Sequence, residues 1–342
     1  MRIATPTLAS DPLQFAEWLE LLALIRTTKT SGEGDLRGLL SGCESDDDAL
    51  ETDDVIDDEL EQNVNEVFIE LDTRQRWGGR GYPFRVEAGG SSVLRWKRDT
   101  LSAEQLCYAF CLLVSALKEL DSTSRDLFPR LGELEDLFQA CGTLAGAGAI
   151  NGNSVSFGFP RPDIPSFYKK LAEVAELLGE GDPRSGFHPG ASVNPGDAGV
   201  DVIAWRSSAD SLPGQSYLLG QCGSGLDWVN KRPLEEYAHF HSLYWHRAPS
   251  SPVLGTTFVP FDFRSGITAI NYDTKNDAQK WARWNKTTRF GVIVDRFRLA
   301  RHFSKGVWLS QRAGLRLWIE GAEKLPDMRS WIADCSAFLM EV

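Results

Sequence analysis

Hydrophobic positions in the first 150 residues recur mainly at the three-to-four-residue spacing of helices that bury one face. Ser10-Asp11-Pro12 supplies capping side chains ahead of a proline suited to a first helical turn, and Phe15, Trp18, Leu19 and Leu22 follow at helical spacing. Val67–Asp72 continues into charged, helix-like sequence. Gly78–Pro83 predicts a turn, and Phe84–Val86 and Val93–Trp96 predict short strands flanking Gly89-Gly90. Ala103–Leu120, capped by Ser102, is the most apolar predicted helix, and Arg125–Cys141 predicts another. Gly142–Asn153 is so rich in Gly, Ala and Asn that it predicts a linker.

Beyond that point short apolar runs replace the helical periodicity. A helix capped by Ser166 runs to about Leu178 and ends at Gly179, followed by the Gly/Pro-rich stretch Glu180–Gly199. Val200–Trp205 and Gln215–Cys222 predict strands joined through a turn at Asp210–Gly214. Further strands are expected at Val253–Val259 and Arg289–Val294, and helices near Asp277–Trp284, Gln311–Glu320 and Met328–Leu339. The pattern predicts a mixed α/β fold: a mostly helical region over 1–150, then an α/β domain over 151–342 with a central mixed sheet flanked by helices.

Composition sets limits on this picture. With 342 residues, 42% hydrophobic and 25% charged, the chain is long enough to bury a sizeable core without disulfide staples. The six cysteines have no CxxC pairing, and the N-terminus lacks the basic start of a secretion signal, so reduced thiols in a cytoplasmic protein are expected. The longest apolar run, Cys107–Leu117, is too short to span a bilayer, so no membrane partner is expected. Cys107 and Cys111, four apart on one helical face, read as core.

The net charge of −12 argues against a nucleic-acid partner until its distribution is considered. Eleven acidic residues and no basic ones lie between Glu44 and Glu61, in what reads as a loop or the solvated start of a helix. Between Lys275 and Arg316, eleven Lys and Arg face only Asp277 and Asp295, and they interleave with Trp281, Trp284, Phe290, Phe297, Phe303 and Trp308. That asymmetry points to a polyanion-binding face. Arg283, Lys286, Arg298 and Arg301 are the candidate phosphate contacts, against the alternative that the cations solvate ordinary surface helices.

The chemistry centres on Phe167–Lys231. Asp201 sits among Val200, Val202 and Ile203, where a carboxylate is costly unless it is paired or holds a metal. Alternation places it on the face of Ile203 and Trp205. About twenty residues later the second strand ends in Gly220-Gln221-Cys222. A helix with acidic residues, then G-V-D-V-I-A, then a strand ending in Q-C, resembles the PD-(D/E)XK nuclease superfamily, and most of all its Mrr-like restriction endonucleases. The resemblance covers roughly 65 of the 342 residues. More loosely, the chain is similar to bacterial proteins linked to anti-phage defence.

That resemblance implies a metal-dependent DNA endonuclease. Asp201 would bind Mg²⁺, with Mn²⁺ able to substitute, Gln221 would offer its amide oxygen, and Cys222 its backbone carbonyl. Glu176 or Glu173 would be the acidic residue of the preceding helix. DNA is the implied partner, with further subunits of a defence system or a second copy of the chain as others. The family lysine should follow Cys222, where Gly223 stands, so Lys231 is the candidate replacement. The alternative is an inactive nuclease fold that binds nucleic acid or serves as a structural subunit. Taken singly, Asp201 has a second reading as an ion-pair partner, Glu173 and Glu176 as a solvated helix face and Gln221 as a satisfied strand residue, while Lys231 alone reads as surface. Asp197 reads as a turn residue. His239, His241 and His246 suggest zinc on a strand, but their aromatic neighbours favour packing. Walker, H-E-x-x-H and G-x-S-x-G patterns are absent, which removes support for ATPase, zinc protease and serine hydrolase readings.

Overall fold

The computed structural model describes residues 1–7, 10–42, 53–87, 92–96, 100–158, 167–191, 196, 198–210, 212–264 and 274–341. The chain divides into two compact units, Met1–Leu131 with Ser330–Val342, and Gly132–Arg329. Among the described residues, no helix is long and apolar enough to cross a membrane.

The first unit contains α1 (Pro12–Ile25), β1 (Thr30–Gly32), α2 (Glu33–Gly42), α3 (Asp53–Gly78), β2 (Phe84–Glu87), β3 (Val93–Trp96), α4 (Ala103–Glu119) and α5 (Ser122–Asp126). A capping box starts α1: Asp11 accepts from the Gln14 amide, and the Gln14 side chain accepts from the Asp11 amide, both at 3.0 Å. Ser102 and Gln105 do the same for α4. The strands form an antiparallel sheet in the order β1-β3-β2. The later part of the acidic tract begins α3, while residues 43–52 and Gly89-Gly90 lie outside the described residues.

Within this unit Glu20 and Arg74 are both fully buried. Arg74 Nη1 donates to Glu20 Oε2 at 3.0 Å, and Tyr82 and Tyr108 donate to Glu20 Oε1 at 2.5 and 3.1 Å. Arg74 also donates to Glu70 and to the Leu13 carbonyl. Burial, with the Glu20 charge adding to it, keeps the Tyr82 phenol protonated far above its usual range.

The second unit contains α6 (Leu134–Ile150), β4 (Asn153–Ser156), α7 (Phe167–Leu178), β5 (Asp182–Pro183), β6 (Val202–Arg206), β7 (Ser216–Cys222), α8 (Pro233–Tyr244), β8 (Trp245–Arg247), β9 (Val253–Phe258), α9 (Lys275–Phe290), β10 (Val292–Val294) and α10 (Arg296–Ser310). The last helix, α11 (Leu325–Met340), begins here and ends among the residues of the first unit. A mixed sheet runs β10-β9-β7-β6-β4, with β10, β9 and β7 parallel and β6 antiparallel to both its neighbours. The fold is the expected mixed α/β class. One face of the sheet packs Ile203, Trp205, Tyr217 and Leu219 against α7 and α8, through Leu171, Val174, Tyr237 and Phe240.

Three local expectations are corrected. Gly142–Asn153 is not a linker but the buried end of α6 and the start of β4. Its glycines permit backbone contact: a Cβ at Gly148 would strike the His302 carbonyl oxygen on α10, and one at Gly306 would strike the Leu144 carbonyl. Gly146 lies against Val202 of β6. Second, Arg125–Cys141 is not one helix; α5 stops at Asp126, and α6 begins at Leu134 after a 3-10 turn over Leu131–Glu133. Third, Gln311–Glu320 contains only a 3-10 turn, Ala313–Leu315, and Ile319 bridges to Ser154 of β4. The helix in this region is α10, whose apolar positions Leu299, Ala300, Phe303 and Val307 are embedded among cations. Asp295 caps it.

Candidate functional site

The antiparallel register of β6 and β7 sets Asp201, one residue before β6, beside Gln221, because Val202 pairs with Gly220 and the Asp201 amide donates to the Gly220 carbonyl at 2.9 Å. This is the end of the sheet where the parallel strands β7 and β9 finish, where open α/β sheets form binding crevices. Asp201 is half-buried, and its Oδ2 accepts from the Cys222 amide at 2.7 Å. Oδ1 lies toward Gly158, where a Cβ would come within 2.7 Å of it and would also strike Gln139 Oε1.

Gln221 is 6% exposed. Its Nε2 donates to Glu236 Oε2 at 2.9 Å and to the Gly199 carbonyl at 3.4 Å. Both partners are acceptors, so the amide nitrogen must face them. That orientation leaves Oε1 buried with no hydrogen-bond partner among the described residues. A buried amide oxygen without a donor carries a cost that folding normally avoids.

Glu236 is the residue that sequence reasoning missed. It lies in the first turn of α8, which Pro233 starts and which Tyr237 ties to the sheet by donating to the Thr256 carbonyl at 2.8 Å. Gly199 makes room for this carboxylate: its φ is +75°, and a Cβ would strike the Glu236 carboxylate. Burial raises the Tyr237 phenol, and the charges of Asp201, Cys222 and Glu236 add to that effect, so both carboxylates act on one side chain. In sequence Glu235 and Glu236 are equivalent first-turn acids. Packing separates them, sending Glu235 out to pair with Arg232 at 3.3 Å.

The other expected site residues are placed less centrally. Glu176 is exposed on α7. Glu173 is half-buried and pairs with Lys170 at 3.6 Å, and Lys170 in turn donates to Glu320 at 2.8 Å. Lys231 caps a 3-10 turn over Leu226–Asn230 and is half-buried; no hydrogen bond or ion pair of its ammonium joins it to Asp201. Cys222 contributes its amide to Asp201 and turns its sulfur toward Gly142 on α6. Gly223 has little room for the expected lysine, since a Cβ there would lie 2.8 Å from Trp228 Cβ. Asp197 and Ser166 lie outside the described residues. Among the described residues no group of three or more His, Cys, Asp or Glu is arranged so that it could hold a metal ion.

The basic segment is not a row of free cations. Arg283 pairs with the buried Asp295 and donates to the Ile293 carbonyl at 3.2 Å. Arg298 donates to the same carbonyl at 3.3 Å, and burial and the neighbouring Arg283 lower its pKa. Lys286 is half-buried over the rings of Trp228 and Phe263, and burial pushes its ammonium down. Arg301 is exposed. His239 and His241 are on α8 and His246 is on β8: His239 is exposed, His241 stacks on Tyr217, and His246 meets Arg184 at 3.1 Å. Burial lowers His241 to about 4, so it is neutral near pH 7. No family model matches the chain, and no curated protein or solved structure matches it either.

Proposed function

We propose that the second unit is a metal-dependent nuclease that hydrolyses DNA phosphodiesters as an effector of bacterial anti-phage defence. The observation carrying this reading is the orphaned Oε1 of Gln221, a residue that the strand register sets next to Asp201 and whose Nε2 donates to Glu236. These three side chains would offer oxygen donors alone, which suits Mg²⁺ or Mn²⁺. Asp201, Gln221 and Glu236 would hold the ion, which when bound lowers the pKa of water and offsets charge on a phosphate. The chain's own work is positioning. The Cys222 amide fixes Asp201, Gln221 holds Glu236 in place, and the missing side chains of Gly158 and Gly199 leave space for the oxygens. Other subunits of a defence system, or a second copy of the chain, are the protein partners this reading implies.

Plasmid cleavage in Mg²⁺ and Mn²⁺, with EDTA as control, tests it. The expected result is metal-dependent nicking or linearisation by the wild type and none by Asp201→Asn. Cleavage that survives in Asp201→Asn would overturn the assignment. One observation favours the inactive alternative: Trp228 crowds Gly223, so the family lysine has no place there. An inactive site would give no cleavage and no rise in Tm with Mg²⁺ or Mn²⁺, whereas ion binding at 100 times its Kd stabilises by about 2.7 kcal/mol.

A further inference from the structure

Helix α9 exposes two tryptophans side by side. Trp281 is 44% and Trp284 62% exposed, and their ring centroids are 5.4 Å apart at 42°. The exposed residues around them, Lys280, Asn285, Thr288 and Arg289, are polar or cationic. The nearest acid on the helix, Asp277, is occupied at the N-cap by the Thr274 hydroxyl at 2.7 Å. An apolar protein-docking face would carry aliphatic residues, and the exposed residues described on α9 besides the two tryptophans are polar or charged. Flat π-surfaces flanked by cations suit a ligand that presents both aromatic faces and phosphates. A duplex offers phosphates but hides its base faces in the stack, so the ligand must be unpaired.

We propose that Trp281 and Trp284 form a stacking platform for unpaired nucleobases, with Lys280 and Arg289 contacting the adjacent phosphates. This rests on the nucleic-acid substrate proposed above and narrows it to single strands or single-stranded stretches. At 5.4 Å the two rings already touch, so a base stacks on the open outer face of the pair rather than between them. The interaction is sequence-tolerant, because every base has a π-face.

Fluorescence anisotropy in EDTA, where no cleavage occurs, tests the platform with labelled 15-nucleotide dT, its oligo-U counterpart and a 15-base-pair duplex. At least one single strand should bind about tenfold or more tightly than the duplex, and the two single-strand arms distinguish DNA from RNA. Trp281→Ala/Trp284→Ala should lose at least about tenfold on the single strand, while Trp281→Phe/Trp284→Phe retains most binding and controls for folding. Lys280→Ala/Arg289→Ala should make log K less steeply dependent on log salt by about 1.4. Equal affinity for duplex, undiminished single-strand binding by the Ala pair, or a wild-type dimer that the Ala pair converts to monomer would each overturn the proposal. Failure of the nuclease reading shows separately, as absent metal-dependent cleavage, because this binding is measured without metal.

Discussion

Glu20 in the first unit and Asp201 in the second are both carboxylates placed among apolar residues, and the fold treats them in opposite ways. Glu20 has no exposure, and a guanidinium and two phenols take up its oxygens. Asp201 keeps partial exposure, is positioned by a neutral backbone amide, and has for a neighbour a glutamine whose oxygen is unmatched. A buried carboxylate with its counter-cation is a completed structural element, and removing one member leaves the other stranded. The Gln221 oxygen is the atom that the proposed cation would complete. Exposure, more than the presence of a carboxylate in a greasy segment, separates the two environments.

The sharpest way to break this comparison is to truncate the completed network. Glu20→Ala should destabilise the protein by about 3–5 kcal/mol in urea unfolding, with Arg74 left uncompensated. A cost below about 1 kcal/mol would show that the network does not hold the first unit together.

The second unit has a satisfied carboxylate of its own in Glu180. Burial alone would raise its pKa, but donors from Ser251, Gly214, Ser250 and Gln215 outweigh this and hold it down at about 2, against an ordinary 4.5. The unfolded chain therefore binds a proton first on acidification. Glu180 contributes its full stabilisation above pH 4.5 and loses it as pH falls toward 2. His241 has the same sense over a higher window: its folded value of about 4 against 6.5 removes stability as pH falls from 6.5 to 4. Glu180→Gln should cost about 3 kcal/mol at pH 7 and flatten the stability profile between pH 4.5 and 2. An unchanged profile would show that these neutral donors do not hold the Glu180 carboxylate down.

Gly148→Ala should cost about 1–3 kcal/mol, because the added methyl meets the α10 backbone. At an open helical position the same change gains up to about 1 kcal/mol, so the sign of the effect reports the close contact of α6 and α10.

Smallest in stability, and largest in what it decides, is Asp201→Asn. It should change unfolding free energy by less than about 1 kcal/mol, since a half-exposed carboxylate is replaced by a neutral isostere that can still accept from Cys222. It should also abolish any rise in Tm with Mg²⁺. A loss of stability comparable to that of Glu20→Ala would move Asp201 into the structural class.

Much of this arrangement is legible before any fold is known. The caps at Asp11 and Ser102 are local side-chain-to-backbone chemistry. The runs around Ile203 and Leu219 are short, apolar and bounded by turns, and they appear as β6 and β7 within two residues of their expected starts. Asp201 and Gln221 stand out for the same reason, as polar residues at the ends of greasy strands. Their juxtaposition follows once the two strands pair as a hairpin.

Other features were decided by tertiary packing. A Gly/Ala-rich stretch has the composition of a linker, and only the approach of α10 and the sheet makes it a buried helix. Of the adjacent acids Glu235 and Glu236, only the rotation of α8, set by Tyr237 and Phe240 in the core, brings one toward Gln221. Arg283 counts as a surface cation in the sequence until Asp295, twelve residues away, claims it. The sequence by itself determined the mixed α/β class, the strand hairpin and the polar residues at its open end, because these depend on neighbours along the chain. The fold decided which charges are paired, which oxygens are left over and which glycines are contacts, because those depend on neighbours across space.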